Sequence, residues 1–315
     1  MEIRVLQYFL AVAREQSIVR AAESLHLSQP TLSTQLKNME DELGKQLLIR
    51  GTKGSRKVTL TEEGMILRQR AEEIINLVKK AENEIMLSDS VIIGDVYIGT
   101  GETDAIRFLA RAAKSLQEKY PGIHYHIASG NASFVTDQLD KGLIDFGIVF
   151  GSVNDSKYDF LKLPFKDVWG VLMRKDSPLA KKETIRPEDL WDKPLIVSHQ
   201  ENSQNFLTGW LRQDYSNLNI IATYNLLFNA SLMVEEDLGY AIGFDKIINT
   251  CGSPLCFRPL SPTVEAEMSI IWKKYQIFSK AADKFLSQLQ EDIKAAAELM
   301  GDDYKIDIKA YLHTD

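Results

Sequence analysis

The spacing of apolar residues predicts three helices near the start of the chain, over about 3–14, 18–25 and 29–43. Ser17 and Ser28 stand where N-cap residues belong, and Gly44 stands where a helix ends. Apolar positions predicted to face inward are Leu6, Phe9, Leu10 and Ala13 in the first helix, Ile18, Val19 and Ala22 in the second, and Leu32, Leu36, Met39 and Leu43 in the third. The tight turn at 26–28 makes the second and third helices a candidate helix-turn-helix.

A hairpin and a long helix are predicted next. Two strand-like runs, 46–50 and 56–60, flank a turn rich in glycine and basic residues. A helix should then run from Thr61 to about Ser88. Its apolar residues step by four and three, as in a heptad seam: Leu67, Ala71, Ile74, Val78, Ala81 and Ile85. The stripe fits packing on its own domain or a dimer seam, and we favour the seam because nothing else in the first 90 residues is large enough to bury it.

From residue 91 the pattern alternates between strands and helices, which predicts an open α/β sheet. About 210 such residues are many for one sheet, so we expect two lobes with chain crossings near 161–166 and 263–268. The predicted strands are 91–99, 123–129, 145–150, 168–173, 195–198, 219–223, 241–244 and 268–272, and the predicted helices are 103–120, 132–142, 203–214, 226–238 and 278–299.

Composition and charge refine this division. The chain is 44% hydrophobic and 26% charged, which is ordinary for a soluble globular protein. No apolar run is long enough for a membrane span and the start is not a signal peptide, so we expect no membrane association and a cytoplasmic location. The net charge of −7 argues against nucleic acid, but residues 1–60 carry nine basic and six acidic groups. A basic head on an acidic body fits a DNA-binding domain joined to a domain that avoids DNA.

The outward side of the third helix carries amides, hydroxyls and one lysine, at Gln29, Thr31, Ser33, Thr34, Gln35, Lys37 and Asn38. Amides can pair with adenine, hydroxyls can reach bases or phosphates, and the threonine methyl can touch thymine. The basic turn from Lys53 to Lys57 suits the DNA backbone or minor groove. A solvated polar face is the alternative, and we favour DNA binding.

Candidate ligand contacts lie where strands end, because ligands of open α/β sheets bind at the carboxyl ends of strands. These residues are Thr100, Gly101, Glu102, Thr103, Ser129, Ser198 and Phe244. An anion is the usual occupant of a helix N-terminus. Glu102 and Asp104 already supply negative charge there, so the ligand's chemistry stays open. Capping and turn formation are the alternative roles of Thr103 and Ser129.

Other chemistry is weakly indicated. His124 and His126 share a strand face, but they lack a third ligand nearby, so we predict no metal site. Cys251 and Cys256 are too few for a disulfide framework, although a redox pair is conceivable. We find no Gly-x-Ser-x-Gly, His-Glu-x-x-His, P-loop or complete Gly-x-Gly-x-x-Gly pattern, and so predict no catalytic residues, no enzymatic activity and no cofactor.

The N-terminal motifs resemble the signature of LysR-type transcriptional regulators. The matching positions are Ala21-Ala22, Ser28-Gln29-Pro30, Ser33, Leu36, Glu42-Leu43-Gly44 and Leu60-Thr61-Glu62-Glu63-Gly64. Ile18 and Leu48 depart from it, since the family commonly has Phe at both positions. Weaker likeness to the family's periplasmic-binding-protein-like sensor lies at 121–123, 129–131, 139–148 and 176–180.

The resemblance implies a fold and an organisation. We expect a winged helix-turn-helix domain over 1–60, with the helix-turn-helix at about 18–37, and a linker and dimerisation helix over 61–90. A two-lobed α/β effector-binding domain should cover 91–300, and 301–315 would be a C-terminal tail. Lobe I should comprise about 91–162 and 268–300, and lobe II about 163–267.

The resemblance also implies partners. It predicts a homodimer or homotetramer on a partly two-fold symmetric operator in double-stranded DNA, a small-molecule effector of unknown identity, and RNA polymerase as a partner if the protein is an activator. Gln29, Pro30, Ser33 and Thr34 would contact bases or backbone, and Arg50, Lys53 and Arg56 would be wing contacts. Two other hypotheses are an enzyme or solute-binding protein that uses the N-terminal domain only to oligomerise, and a redox sensor that uses the two cysteines.

Overall fold

The computed structural model describes residues 1–51, 57–86, 92–199 and 201–300. The predicted contacts Lys53 and Arg56 and the tail at 301–315 lie outside these residues. The chain divides into two compact units, Met1–Ser88 and Asp89–Asp315. Every helix in the described part is too short or too polar to cross a lipid bilayer.

The first unit contains four helices and a two-stranded hairpin among its described residues. They are α1 (Ile3–Glu15), α2 (Ile18–Ser24), α3 (Gln29–Leu43), β1 (Leu48–Arg50), β2 (Val58–Leu60) and α4 (Glu62–Met86). The strands pair antiparallel, with Leu48 opposite Leu60 and Arg50 opposite Val58. This hairpin is the expected wing beside α3.

Local signals fix the helix ends. The Ser17 side chain accepts a hydrogen bond from the Arg20 amide, and Ser28 accepts one from the Thr31 amide at 3.2 Å. Pro30 lies in the first turn of α3, where its missing N–H costs nothing. Gly44 ends the helix with a φ of 63°, a conformation that favours glycine.

The core of this unit lies between α1, α3, the wing and the start of α4. Phe9, Leu32, Leu36 and Leu48 are fully buried. Two predicted core positions are wrong, since Val19 is 40% exposed and Leu43 is 42% exposed. On α2 the predicted Ala22 is buried and Ile18 packs partly against the core, while Ala21 takes the inward position predicted for Val19. Small side chains let this two-turn helix approach its neighbours closely.

The apolar stripe of α4 splits into two faces. Ala71 and Ile75 are buried in the first unit's core, and Leu67 packs partly against it. Exposed apolar side chains remain along the helix at Met65, Ile66, Ile74, Leu77 and Ile85. Part of the predicted apolar seam therefore packs in the core of the helix's own unit. Other seam residues, among them Ile74 and Ile85, are exposed to solvent in the described part of the chain.

The described strands and helices of the second unit begin with β3 (Gly94–Thr100), α5 (Ile106–Lys119), β4 (Ile123–Ser129), α6 (Ala132–Asp140), β5 (Phe146–Phe150) and β6 (Tyr158–Arg174). They continue with β7 (Leu195–Ser198), α7 (Glu201–Leu211), β8 (Ile220–Tyr224), α8 (Leu227–Glu235), β9 (Tyr240–Phe244), β10 (Leu255–Pro259), β11 (Glu265–Lys273) and α9 (Lys280–Met300). Short 3-10 helices lie at Pro178–Lys181, Pro187–Asp189 and Tyr215–Asn217.

One long strand, β6, runs through both lobes. The sheet order is β4-β3-β5-β11-β6-β9-β7-β8, and β10 also pairs with β6. Along β6 the partner changes from β11 at Val168 to β9 at Trp169. The first crossing thus occurs inside the continuous strand β6, two residues after the predicted 161–166, and the return crossing lies between β10 and β11, in residues 260–264.

The lobe boundary lies later on β6 than 162/163, because Leu163 is buried in the core of lobe I. On the return strand it lies earlier than 267/268, since β11 pairs with the lobe I part of β6 from Glu265 onward. The strand β10 was not predicted. Its sequence ends in Arg258 and Pro259 and lacks the long apolar run of a central strand. In the structure it pairs only with β6 among the described strands.

Candidate DNA-binding surface and ligand cleft

The N-terminal half of α3 presents a polar surface. Gln29, Pro30, Thr31, Thr34 and Lys37 are exposed, and Ser33 is half-buried. These predicted contacts lie together because they alternate with the buried Leu32 and Leu36 at helical spacing. The surface therefore offers an amide, hydroxyls and one ammonium on one rigid helix.

The start of α3 is held by a pair of hydroxyls. The Ser28 and Thr31 oxygens are 2.7 Å apart, and Ser28 also accepts from the Thr31 amide. The Thr31 hydroxyl is thus engaged in the cap, while its methyl group stays available for contact. The cap fixes the orientation of the residues that follow it.

Glu40 joins the end of α3 to the wing. One carboxylate oxygen accepts hydrogen bonds from the amides of Leu47 and Leu48 at 2.8 and 3.0 Å. The other oxygen accepts from the Arg50 guanidinium at 2.9 Å. Glu40 is only 8% exposed, so it is a buried charge with three donors. Sequence reasoning missed it, and Arg50, a predicted DNA contact, is here an ion-pair partner whose side chain is 39% exposed.

A cavity of about 450 Å³ lies between the two lobes of the second unit. Its walls come from strand ends, as the topology rule predicts. Gly101 and Glu102 follow β3, Ser198 ends β7, and Phe244 ends β9. Four of the seven predicted ligand residues therefore line one cleft.

Glu102 crosses the cleft from lobe I to the start of α8 in lobe II. Its carboxylate accepts hydrogen bonds from the backbone amides of Leu227 and Phe228. The N-cap position of α8 is Leu226, which supplies no side-chain acceptor. The carboxylate therefore satisfies helix-end amides that would otherwise attract an anion.

Aromatic rings form another part of the cleft wall. Phe150 of lobe I stacks on Phe244 of lobe II, with ring centres 4.7 Å apart. The ring centre of Trp169 lies 4.3 Å from that of Phe244 and 4.5 Å from that of Phe206. The Tyr224 hydroxyl also faces this region and donates to the Ile242 carbonyl at 2.7 Å. Burial, with the nearby Glu102 charge, raises the pKa of Tyr224, so the phenol stays neutral.

The charged groups of the described lining are carboxylates. Glu102 and Glu265 line the cleft, and no Lys, Arg or His does so among the described residues. Glu265 has Lys166 as an ion-pair partner at 3.4 Å. The cleft therefore combines ring faces with acceptor oxygens.

Three predicted ligand residues do not line this cavity. Thr100 is buried, and its hydroxyl donates to the Gly101 carbonyl at 2.8 Å. Thr103 is also buried, where its hydroxyl donates to the Met268 sulfur and accepts from the Ala105 amide. Ser129 is exposed beside the cleft-lining Gly130. The hydroxyls of Thr100 and Thr103 therefore form hydrogen bonds in the turn that leads into α5. For Thr103 this is the capping and turn role given above as the alternative to ligand binding.

Two family models match the chain, one within each of its two units. Residues 3–65 match the bacterial regulatory helix-turn-helix protein model of the lysR family, and residues 92–294 match the LysR substrate binding domain model. The second match alone covers more than half of the chain. The chain belongs to the LysR family. It is a DNA-binding transcription regulator with a C-terminal substrate-binding domain.

Three relatives match between 62% and 92% of this LysR-family chain. BsdA, an HTH-type transcriptional regulator of Bacillus subtilis, is 31% identical over 207 residues, 65% of this chain and 69% of that protein. HcaR, the Hca operon transcriptional activator of Escherichia coli, is 27% identical over 299 residues, 92% of this chain and 98% of that protein. OxyR of Escherichia coli, a DNA-binding transcriptional dual regulator, is 31% identical over 198 residues, 62% of this chain and 63% of that protein.

Solved structures confirm the LysR-type fold. CbnR, in complex with its target DNA, has a TM-score of 0.73 and 18% identity, and the match covers 94% of this chain and 100% of CbnR. HinK of Pseudomonas aeruginosa has a TM-score of 0.53 and 22% identity, covering 93% and 98%. At these identities the likeness shows the fold alone.

Sequence reasoning missed most of the aromatic lining of the LysR-family cleft. Phe150, Trp169, Phe206 and Tyr224 line it together with the predicted Phe244. A signal was present, because Phe150 and Tyr224 end strands just as Phe244 does.

His126 and Cys256, two of the residues considered for metal or redox chemistry, are engaged within the fold. The His126 ring lies 2.8 Å from an Asp95 oxygen and stacks on Tyr97. No group of three potential metal ligands occurs in the described part of the chain. Cys251 is exposed and Cys256 is buried on β10, where burial raises the pKa of the thiol. A raised pKa disfavours the reactive thiolate.

Proposed function

We propose that this regulator binds double-stranded operator DNA through the polar surface of α3. The observation that carries the proposal is the Ser28-capped helix α3, which presents exposed Gln29, Thr34 and Lys37 and a half-buried Ser33 on one side. An α-helix fits the major groove, and amides and hydroxyls are the groups that distinguish bases there. Pro30 and Thr31 lie at the helix entry, where backbone contacts are expected.

The wing is proposed to contact the DNA backbone beside α3. Arg50 contributes through a guanidinium that Glu40 holds in place and that remains partly exposed. Lys53 and Arg56 are proposed as further wing contacts because of their charge. Because Glu40 ties both elements together, α3 and the wing would meet the duplex in one fixed arrangement.

The exposed apolar face of α4 is proposed to join two copies of the chain. Ile74, Leu77 and Ile85 are 37%, 45% and 83% exposed, and large apolar stripes on a helix mark interaction surfaces. A homodimer, or a homotetramer built from two, would match a partly two-fold symmetric operator. CbnR was solved with its target DNA, which supports DNA binding by the shared fold.

A small-molecule effector is proposed to bind in the interlobe cleft and to modulate DNA binding. The cleft lies where both lobes contribute residues, so an occupant would change the relation between them. Operator DNA lies with the chromosome, so a cytoplasmic location is part of the proposal. If the regulator activates its genes, RNA polymerase is a further partner.

Fluorescence anisotropy tests the DNA proposal. The full-length protein is titrated with the duplex upstream of its own gene and with a scrambled duplex at two salt concentrations. We expect a preference for the native duplex of about a thousandfold, typical of specific regulators, and a steep loss of affinity with salt. The variant Gln29→Ala/Ser33→Ala should lose the preference.

Gln7→Ala is the matched control, because Gln7 is an exposed amide on α1. It should bind both duplexes as the wild type does. Equal binding of native and scrambled DNA by the wild type, with no effect of the α3 changes, would contradict the proposed recognition surface.

A further inference from the structure

Glu102 is an acid from the protein itself in the position that an acidic ligand would take. Helix N-termini attract anions through their free amides and the positive end of the helix dipole. At α8 those amides, from Leu227 and Phe228, already donate to the Glu102 carboxylate. A ligand carboxylate at this point would have to displace Glu102 and remain beside a like charge.

The rest of the described lining gives an anion no positively charged partner. It contains Glu265 as a second carboxylate and no basic side chain. The stretch 200–205, which precedes the cleft-lining Phe206, contains no Lys, Arg or His either. The nearby Lys166 is held by Glu265 and Glu267, at 3.4 and 3.3 Å.

The aromatic wall sets the shape of the occupant. The Phe150–Phe244 stack and the Trp169–Phe244 contact bring rings of both lobes to the cavity. Flat rings stack on such walls, and cations are attracted to the faces of Trp and Phe. Carboxylate oxygens at the polar end accept hydrogen bonds, so they select a group that donates them.

We infer that the cleft selects a flat aromatic ligand whose polar end is an uncharged or positively charged hydrogen-bond donor, and that it rejects carboxylates through Glu102. This inference rests on the proposed function, in which the cleft is the effector site. It adds the chemical class of the effector, which the fold alone leaves open.

Benzamidine, benzamide and benzoate test the inference, because they share one ring and differ in charge at the polar end. Each is titrated into the full-length protein at neutral pH, with the dissociation constant taken from saturation-transfer NMR. Benzamidine and benzamide should bind, and benzoate should bind roughly tenfold more weakly, since a second carboxylate within a few ångströms of Glu102 is strongly disfavoured. Phe244→Leu should weaken the binding of benzamidine if the ring lies in the cleft.

Glu102→Gln removes the charge while keeping an oxygen that can accept from the α8 amides. In this variant the dissociation constants of benzamide and benzoate should become similar. Glu267→Gln is the matched control, because Glu267 lies on β11 near Glu265 but does not line the cleft. Their difference should persist there.

Three results would overturn the inference. They are equal binding of benzoate and benzamide to the wild type, a difference that survives Glu102→Gln, and no binding of any probe. The anisotropy titrations are run on the same protein samples. Specific DNA binding together with a failed probe series would reject the ligand class alone, whereas loss of specific DNA binding would reject the proposed function.

Discussion

Removing the Glu40 carboxylate should destabilise the N-terminal unit selectively. In the wild type this side chain accepts from the amides of Leu47 and Leu48 and from Arg50. Leu47 is 2% exposed and Leu48 is fully buried, so water cannot readily replace the lost acceptor. Glu40→Ala therefore leaves two buried N–H groups and one guanidinium without their partner.

The loss in free energy of unfolding depends on the number of hydrogen-bond donors that lose their acceptor. Each buried donor left without an acceptor costs about 1–3 kcal/mol, so two amides give a loss of about 3 kcal/mol after partial relaxation. Glu40→Gln keeps one oxygen for the amides and loses mainly the half-exposed ion pair with Arg50, which is worth about 1 kcal/mol. Glu42→Ala removes an exposed pair with the N-terminal ammonium and should cost less than about 0.5 kcal/mol.

Urea unfolding of the full chain separates the two units. All four tryptophans, Trp169, Trp191, Trp210 and Trp272, lie in the second unit, so tryptophan fluorescence follows that unit alone. Circular dichroism at the helix band also follows α1 to α4. With a slope of roughly 1.5 kcal/mol per molar urea, Glu40→Ala should lower the first unit's midpoint by about 2 M. The fluorescence midpoint should not move.

Unfolding of Glu40→Ala at the wild-type urea concentration in the circular dichroism trace would show that these hydrogen bonds do not stabilise the first unit. Equal destabilisation by Glu42→Ala would also contradict this role of Glu40, because the effect would then reflect charge on α3 and not the buried hydrogen bonds. A shift of the fluorescence midpoint would show that the change is not confined to the first unit.

Other surfaces give further expectations. Ile74→Glu/Leu77→Glu should convert dimers to monomers in sedimentation velocity, because burying unpaired carboxylates in an apolar contact is costly, and an unchanged dimer would reject the α4 contact. Cys251→Ser/Cys256→Ser should leave the response of DNA binding to hydrogen peroxide unchanged, whereas a lost response would favour the redox hypothesis. Burial raises the pKa of Asp167 in the folded state above its ordinary value near 4. Ionised Asp167 therefore lowers the free energy of unfolding at high pH, and this penalty disappears as the pH falls to about 4. Asp167→Asn should therefore raise the urea midpoint in tryptophan fluorescence at pH 8 and lose that advantage at about pH 4, and an equal gain at both values would contradict this account.

The helix-turn-helix could be predicted because its signals are local. Ser17, Ser28 and Gly44 mark helix ends in the sequence and do so in the structure. Glu40 could not be predicted, because a glutamate on an amphipathic helix resembles any solvated charge until the wing folds over it. Its burial depends on residues 47 to 50, which only tertiary structure brings to it.

The cleft could be predicted in position but only partly in composition. The rule that ligands lie at strand ends located Gly101, Glu102, Ser198 and Phe244. It could not say which side chain at a strand end turns inward, and so Thr100 and Thr103 were included although they are buried. The aromatic wall and the contact of Glu102 with α8 depend on how the two lobes meet, which neighbouring residues in the chain do not encode.

The strand β6, which runs through both lobes, restricts how the sequence can change. The 17 residues of β6 span roughly 55 Å and change partners midway, so an insertion of one residue would turn every later side chain to the opposite face. The cleft, in contrast, is lined from strand ends and helix starts that tolerate substitution without any change in register. The lining of the cleft can therefore change by the exchange of a few of these side chains, without any change in the length of the crossing strand.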